Sequence, residues 1–228
     1  YATLFRSVLA LAPDGEGKAA GIAVVANNVS PGLVFKNNTV VSSWADVLLA
    51  DSYGHADGFA RFEGNTFVKA VKAPEFKTIR SQYSERPSTA VFSGNRFEAG
   101  ASADDADMEF TGAGLKEIVF ARKALIAAAY PDGKPAAGAR VSVTDKNGRE
   151  CAGAVTDAKG ECEADAPEYL LSNRDKSLVE KQAARMLGAK SWRVEPGPLT
   201  VTVTDAGGRK ATAGLDPASD KPVRLVLR

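Results

Sequence analysis

Histidine and cysteine are scarce in this chain: one histidine and two cysteines in 228 residues. With so few, there is no Ser-His-Asp order, no Cys-His pair and no cysteine cluster at metal-binding spacing, and the glycines form no phosphate-binding loop. Excess charge is lacking too. Lys plus Arg number 29 against 28 Asp plus Glu, a net charge of +1, which gives no long-range attraction to nucleic acid or to an anionic membrane surface. No apolar run approaches the ~18 residues that a membrane-spanning helix needs. What remains is a hydrophobic content of 44%, enough to bury a core in one large domain or two ordinary ones. The chain starts at Tyr1 inside an alternating stretch, Ala2 to Leu11, so a signal peptide or a larger upstream region is expected to have been removed.

The strongest signal present is a repeated phrase. Phe35-Lys36-Asn37-Asn38-Thr39-Val40, Phe62-Glu63-Gly64-Asn65-Thr66-Phe67 and Phe92-Ser93-Gly94-Asn95-Arg96-Phe97 place phenylalanines at 35, 62 and 92, spacings of 27 and 30. Asn follows each Phe by three residues and Val or Phe by five. A period of this size predicts stacked repeats. Short β-rich runs fill the intervals, among them Asp46–Ala50, Phe59–Phe62, Phe76–Ile79, Thr89–Phe92, Met108–Phe110 and Glu117–Phe120, and no helical periodicity competes with them. In a stacked coil the two apolar residues point inward around a tight bend, and the Asn between them bonds to its equivalents above and below. Strands stack at about 4.8 Å, so identical amides form ladders. Gly64 and Gly94 free the backbone at the bend, and Asn37 tolerates the same left-handed conformation.

From about residue 125 the pattern changes. Tyr130-Pro-Asp-Gly, the alternating strand Ala139–Thr144, Asp145-Lys-Asn-Gly148, Thr156-Asp-Ala-Lys-Gly160, Leu199–Thr204, Asp205-Ala-Gly-Gly208 and Val223–Arg228 predict an antiparallel sandwich of short strands between turns. Cys151 and Cys162 flank the turn Thr156–Gly160 and are expected to face each other across neighbouring strands, bonded in an exported protein and otherwise two small buried thiols. Leu178, Val179, Ala183, Met186 and Leu187 form an apolar stripe that predicts a helical insertion over about 174–187, capped by Asn173 or Asp175 and ended by Gly188.

The Phe-x-x-Asn-x-(Val/Phe) phrases resemble the coils of right-handed parallel β-helix proteins, the superfamily of pectate lyases, polygalacturonase-like hydrolases and phage tailspikes. The order Asp132-Gly-Lys-Pro135, Gly138-Ala-Arg-Val-Ser-Val-Thr-Asp145, Thr156-Asp-Ala-Lys-Gly160 resembles carboxypeptidase-regulatory-like, transthyretin-like modules. Together these imply an all-β chain: partial parallel β-helix over 1–124, then a small antiparallel Ig/transthyretin-like sandwich over 125–228. The resemblance further implies a secreted, periplasmic or cell-surface protein that binds or processes a polysaccharide, as the C-terminal portion of a lyase or hydrolase whose N-terminal coils precede it. The competing expectation is a non-catalytic, adhesin-like scaffold.

Three groups are candidates for chemistry. His55 lies in the loop Asp51–Gly58 near Asp51, Tyr53 and Asp57, as an acid or base would require. Asp104, Asp105 and Asp107 sit with Glu109 in a short acidic stretch, oxygen ligands of the kind with which β-helix lyases hold Ca²⁺ against an acidic polysaccharide. Lys69, Lys72, Lys77, Arg80 and Arg86 surround Tyr83. On the lyase resemblance, Lys72, Lys77, Arg80 and Tyr83 would line one groove, with Lys77 outward and apart from Ile79, neutralise a uronate and abstract its α-proton. Asn28-Val-Ser30 and Asn37-Asn-Thr39 are sequons, the second inside the coil phrase.

Overall fold

The computed structural model describes residues 3–5, 8–10, 22–27, 34–50, 60–70, 76–82, 88–104, 106–108, 116–172 and 193–228. Among these the chain is all-β, with several sheets and no helix. The stretch expected to be helical, 174–187, lies outside the described residues. The chain divides into two compact units, Tyr1–Phe120 with Leu170–Val194, and Ala121–Tyr169 with Glu195–Arg228. Residue 125, where the sequence pattern changes, falls inside one continuous strand.

In the first unit the chain visits three sheets in rotation. β1 (Thr3–Phe5), β2 (Val8–Ala10) and β3 (Ile22–Asn27) are followed by β4 (Val34–Lys36), β5 (Thr39–Ser42) and β6 (Ala45–Ala50), then by β7 (Ala60–Glu63), β8 (Thr66–Lys69) and β9 (Lys77–Gln82), then by β10 (Ser88–Ser93), β11 (Arg96–Glu98) and β12 (Ala106–Met108). The orders β1-β4-β7-β10, β2-β5-β8-β11 and β3-β6-β9-β12 follow directly. These ladders are parallel and in register with the repeat: Phe35 pairs with Phe62, Phe62 with Phe92, and Val40 with Phe67, which pairs with Phe97. Side chains on alternate positions point inward. Phe35, Phe62, Phe92 and Phe120 therefore form one column, with successive ring centroids 5.7, 4.5 and 5.5 Å apart. Each fully buried phenylalanine contributes about 1.5–3 kcal/mol of apolar burial.

The expected amide ladder is present at the bends. Asn38 donates Nδ2 to Asn65 Oδ1 at 3.2 Å, and Asn65 donates Nδ2 to Asn95 Oδ1 at 3.0 Å. Those same oxygens accept the Asn38 and Asn65 backbone N–H groups at 2.9 and 2.8 Å. Beside each Asn the backbone takes positive φ, 56° at Asn37, 61° at Gly64 and 60° at Gly94. This is the conformation for which glycine, and less readily asparagine, is suited.

The second unit packs two layers around a shared core. One layer holds residues of β13 (Lys116–Ala129), β16 (Glu161–Ser172) and β20 (Val223–Val226); the other has the order β15-β14-β18-β19, with β14 at Arg140–Thr144, β15 at Glu150–Val155, β18 at Leu199–Thr204 and β19 at Lys210–Leu215. Between them lie Ile126, Ala128, Val141, Val143, Ala164, Ala166, Leu199, Val201, Val203, Leu215, Leu225 and Leu227. Alternation explains the set: Val141 and Val143, and Leu199, Val201 and Val203, are the inward positions of their strands. Two expectations are corrected. The unit is not wholly antiparallel, because β13 pairs with β20 in parallel. Nor do the cysteines face each other across neighbouring strands. The turn after β15 sends the chain to the other sheet, which leaves Cys151 and Cys162 on β15 and β16 in separate sheets as free thiols.

Candidate functional site

The basic residues singled out in the sequence start at the bend between the second and third sheets of the first unit. Lys77 and Arg80 lie on β9, where Lys77 donates its backbone N–H to Trp44 O at 3.0 Å. Lys77 was expected outward and apart from Ile79. Residues two apart in a strand share a face, and Ile79 is fully buried, so Lys77 emerges on the core-facing side at the strand's end. Arg80 emerges on the opposite side, its guanidinium carbon 4.3 Å from the centroid of the Trp44 ring. A charge over an aromatic face at this range is a cation–π contact. β9 thus separates two of the four residues expected in one groove. Lys72 and Tyr83, the other two, lie outside the described residues, as do Arg86, His55 and its neighbours Asp51, Tyr53 and Asp57.

Of the acidic stretch, Asp104 is exposed and its carboxylate lies 3.6 Å from the guanidinium of Arg193. Its backbone N–H is held by Ser102 Oγ at 3.1 Å. Asp107 stands in β12 in register with Arg80, and Asp105 lies outside the described residues. Among the described residues no three His, Cys, Asp or Glu side chains gather as a metal ion would require.

One titratable group escaped the sequence reading. Asp46 is the second residue of β6, and its side chain is fully buried. Burial pushes its pKa up to about 8. The Ser42 hydroxyl and N–H pull the other way, but neither forms a well-aligned bond, and both carboxyl oxygens are unbonded. The signal was a lone carboxylate between Trp44-Ala45 and the apolar run Val47-Leu-Leu-Ala50, shortly after Ser42-Ser43.

No family model, curated protein or solved structure matches the chain.

In the second unit the carboxylates at the turns serve structure. Asp145 Oδ1 accepts the N–H groups of Asn147 and Arg149 at 2.9 and 3.0 Å, and Oδ2 accepts Arg149 Nε at 3.2 Å. Asp205 repeats the pattern with the Arg209 N–H at 2.9 Å and Nε at 2.7 Å, adding the Tyr130 hydroxyl at 3.1 Å, while the Arg209 guanidinium lies 4.1 Å from the Tyr130 ring centroid. Burial raises both carboxyl pKa values, but these N–H groups, with the arginine charge and, at Asp205, the Tyr130 hydroxyl, outweigh it and hold both below the ordinary range. At Asp157 the N–H groups of Glu161 and Lys159 have the same effect. Cys162 moves upward through burial, then through the Asp157 charge, so its thiolate, the nucleophilic form, is suppressed.

Proposed function

We propose that this chain is an exported β-solenoid scaffold, a run of parallel β-helix coils followed by a transthyretin-like sandwich, which binds polysaccharide without cleaving it. The observation that carries the scaffold reading is the division of Lys77 and Arg80 between opposite sides of β9. A lyase needs its cation and its base on the same sugar, so neutralisation and proton abstraction cannot be shared by two residues that a strand separates. The in-register Phe and Asn columns support the coil architecture, since both require equivalent positions to stack at the strand spacing. Among the described residues no helix is long and apolar enough to cross a membrane. The polysaccharide part of the reading rests on the resemblance of the Phe-x-x-Asn phrases to carbohydrate-active β-helix proteins.

The test is a panel of acidic and neutral polysaccharides, assayed for retention on an array, for the ultraviolet absorbance of unsaturated uronates and for new reducing ends. Retention without either product is the expected outcome. Cleavage of any member would overturn the scaffold reading in favour of a lyase or hydrolase. Absence of both retention and cleavage would remove the carbohydrate.

A further inference from the structure

The tight bend between β5 and β6 carries three buried polar side chains in five residues. Ser42, Ser43 and Asp46 are 0, 3 and 0% exposed, and the Ser42 Oγ, Ser43 Oγ and both Asp46 carboxyl oxygens have no hydrogen-bond partner. By strand alternation Asp46 points away from Ala45, Val47 and Leu49, which are buried on the other face of β6. The pairing of Ala45 with Lys77 and Val47 with Ile79 sets Asp46 beside Thr78 on β9, and the Thr78 hydroxyl already accepts the Ser102 N–H at 2.9 Å.

The charged groups on the neighbouring elements do not neutralise Asp46. β3 and β5 contain no titratable residue. On β8, the Lys69 ammonium lies 5.9 Å from the Phe76 ring centroid. On β9, Arg80 lies over Trp44 and Lys77 emerges on the opposite side of the strand from Arg80. Asp104, two residues beyond the Ser102 that bonds Thr78, faces Arg193. Asp46 itself forms no ion pair among the described residues. A carboxylate taken out of water without a partner is strongly disfavoured, and a protein avoids that by keeping the group neutral.

We propose that the Ser42–Asp46 bend is a proton-dependent latch, in which β6 packs fully only while Asp46 is an uncharged carboxylic acid and loosens when that proton leaves. The proton exchanges with water, and no other reactant takes part. The upward displacement of the Asp46 pKa to about 8 agrees with this geometry. The direction follows from linkage. The folded state holds the proton more tightly than the unfolded chain, so the contribution is complete below the unfolded value of about 3.9 and is lost progressively as pH rises to about 8. Each pH unit in that window lowers the opening constant's denominator, the closed population, about tenfold relative to the open one. The bend is tightened by acid.

Segment-resolved hydrogen exchange on the full chain, corrected for intrinsic exchange rates, tests this between about pH 5 and about pH 9. β6 and the facing part of β9 are expected to lose protection as pH rises, by up to about tenfold per unit, while Asp46→Asn, which keeps the shape and cannot ionise, flattens the profile. An unchanged profile in that variant would overturn the latch. If the variant fails to fold, the infrared band of a protonated carboxylic acid in the unsubstituted protein decides. Its persistence at about pH 6, where exposed carboxylates are ionised, supports the proposal, and its absence overturns it. Protection at alkaline pH that depends on added calcium would also overturn it, by making the bend a cation site.

Discussion

Both units stabilise their bends with a short amide or carboxylate side chain near a residue of positive φ, yet the bonds run in different directions. In the first unit Asn38 reaches Asn65, 27 residues on, and Asn65 reaches Asn95, 30 residues on. In the second, the carboxylates of Asp145, Asp157 and Asp205 bond the N–H groups two and four residues ahead or four ahead, inside their own loops. The available neighbour decides. Parallel stacking puts an equivalent group one strand spacing away, whereas a hairpin turn has only its own backbone. Chemistry then follows: an amide both donates and accepts, so a ladder can continue through it, while an ionised carboxylate only accepts and ends the chain of bonds.

The ladder can be broken at its centre. Asn65 is fully buried, and its Nδ2 also donates to Phe35 O at 2.9 Å. Asn65→Ala strands the Asn38 N–H and removes a donor from Phe35 O and Asn95 Oδ1. With about 1–3 kcal/mol for each buried group left unsatisfied, the expected loss is about 2–4 kcal/mol, read from the shift in the urea midpoint. Asn95→Ala, at the last rung and only half-buried, is expected to cost less. Equal losses at both positions would mean that the bonds are local and that the ladder adds nothing.

Much of this contrast was legible beforehand because it depends on spacing. The 27- and 30-residue intervals equal the register of the parallel ladders, so Phe62 and Asn65 could be placed inside and at the bend from sequence alone. The Asp-x-x-Gly turns were legible for the same local reason: Gly148, Gly160 and Gly208 all have positive φ. Where each turn leads was not. The turn at Asp157 has the same internal bonds as that at Asp145, yet it joins two sheets and carries Cys162 away from Cys151. Lys77 was misplaced because it was taken to alternate with Ile79, whereas residues two apart in a strand share a face. Asp46 was passed over because a strand run tolerates one polar residue on its outward face, whereas here that residue is fully buried.

Acid sharpens the comparison further. The Asp145, Asp157 and Asp205 carboxylates sit below their ordinary pKa range. Their stabilisation is present above the unfolded value of about 3.9 and is lost as pH falls through the folded values. Asp46 has the opposite sign, gaining over the window from about 8 down to about 3.9. Hydrogen exchange of Arg149 and Arg209, whose N–H groups the carboxylates hold, is expected to accelerate below about pH 4 beyond its intrinsic pH dependence, while β6 stays protected. Simultaneous loosening of both regions would show that the turn carboxylates do not act locally.

The smallest expected effect separates the inner amide ladder from the ionic one that runs outside it. Lys36 Nζ on β4 reaches Glu63 Oε2 on β7 at 3.1 Å, crossing between neighbouring strands as Asn38 and Asn65 do, and Arg61 Nε, on β7 itself, reaches Glu63 Oε1 at 2.9 Å. The geometry is comparable but the solvent is not. The Lys36 side chain is 45% exposed, so water and salt screen its charge and its loss leaves Glu63 bonded to Arg61. Lys36→Ala is therefore expected to change stability by no more than about 0.5 kcal/mol, less still in high salt. A urea midpoint displaced as far as that of Asn65→Ala would mean that the outer pair, and not burial of the amides, sets the register of β4 on β7.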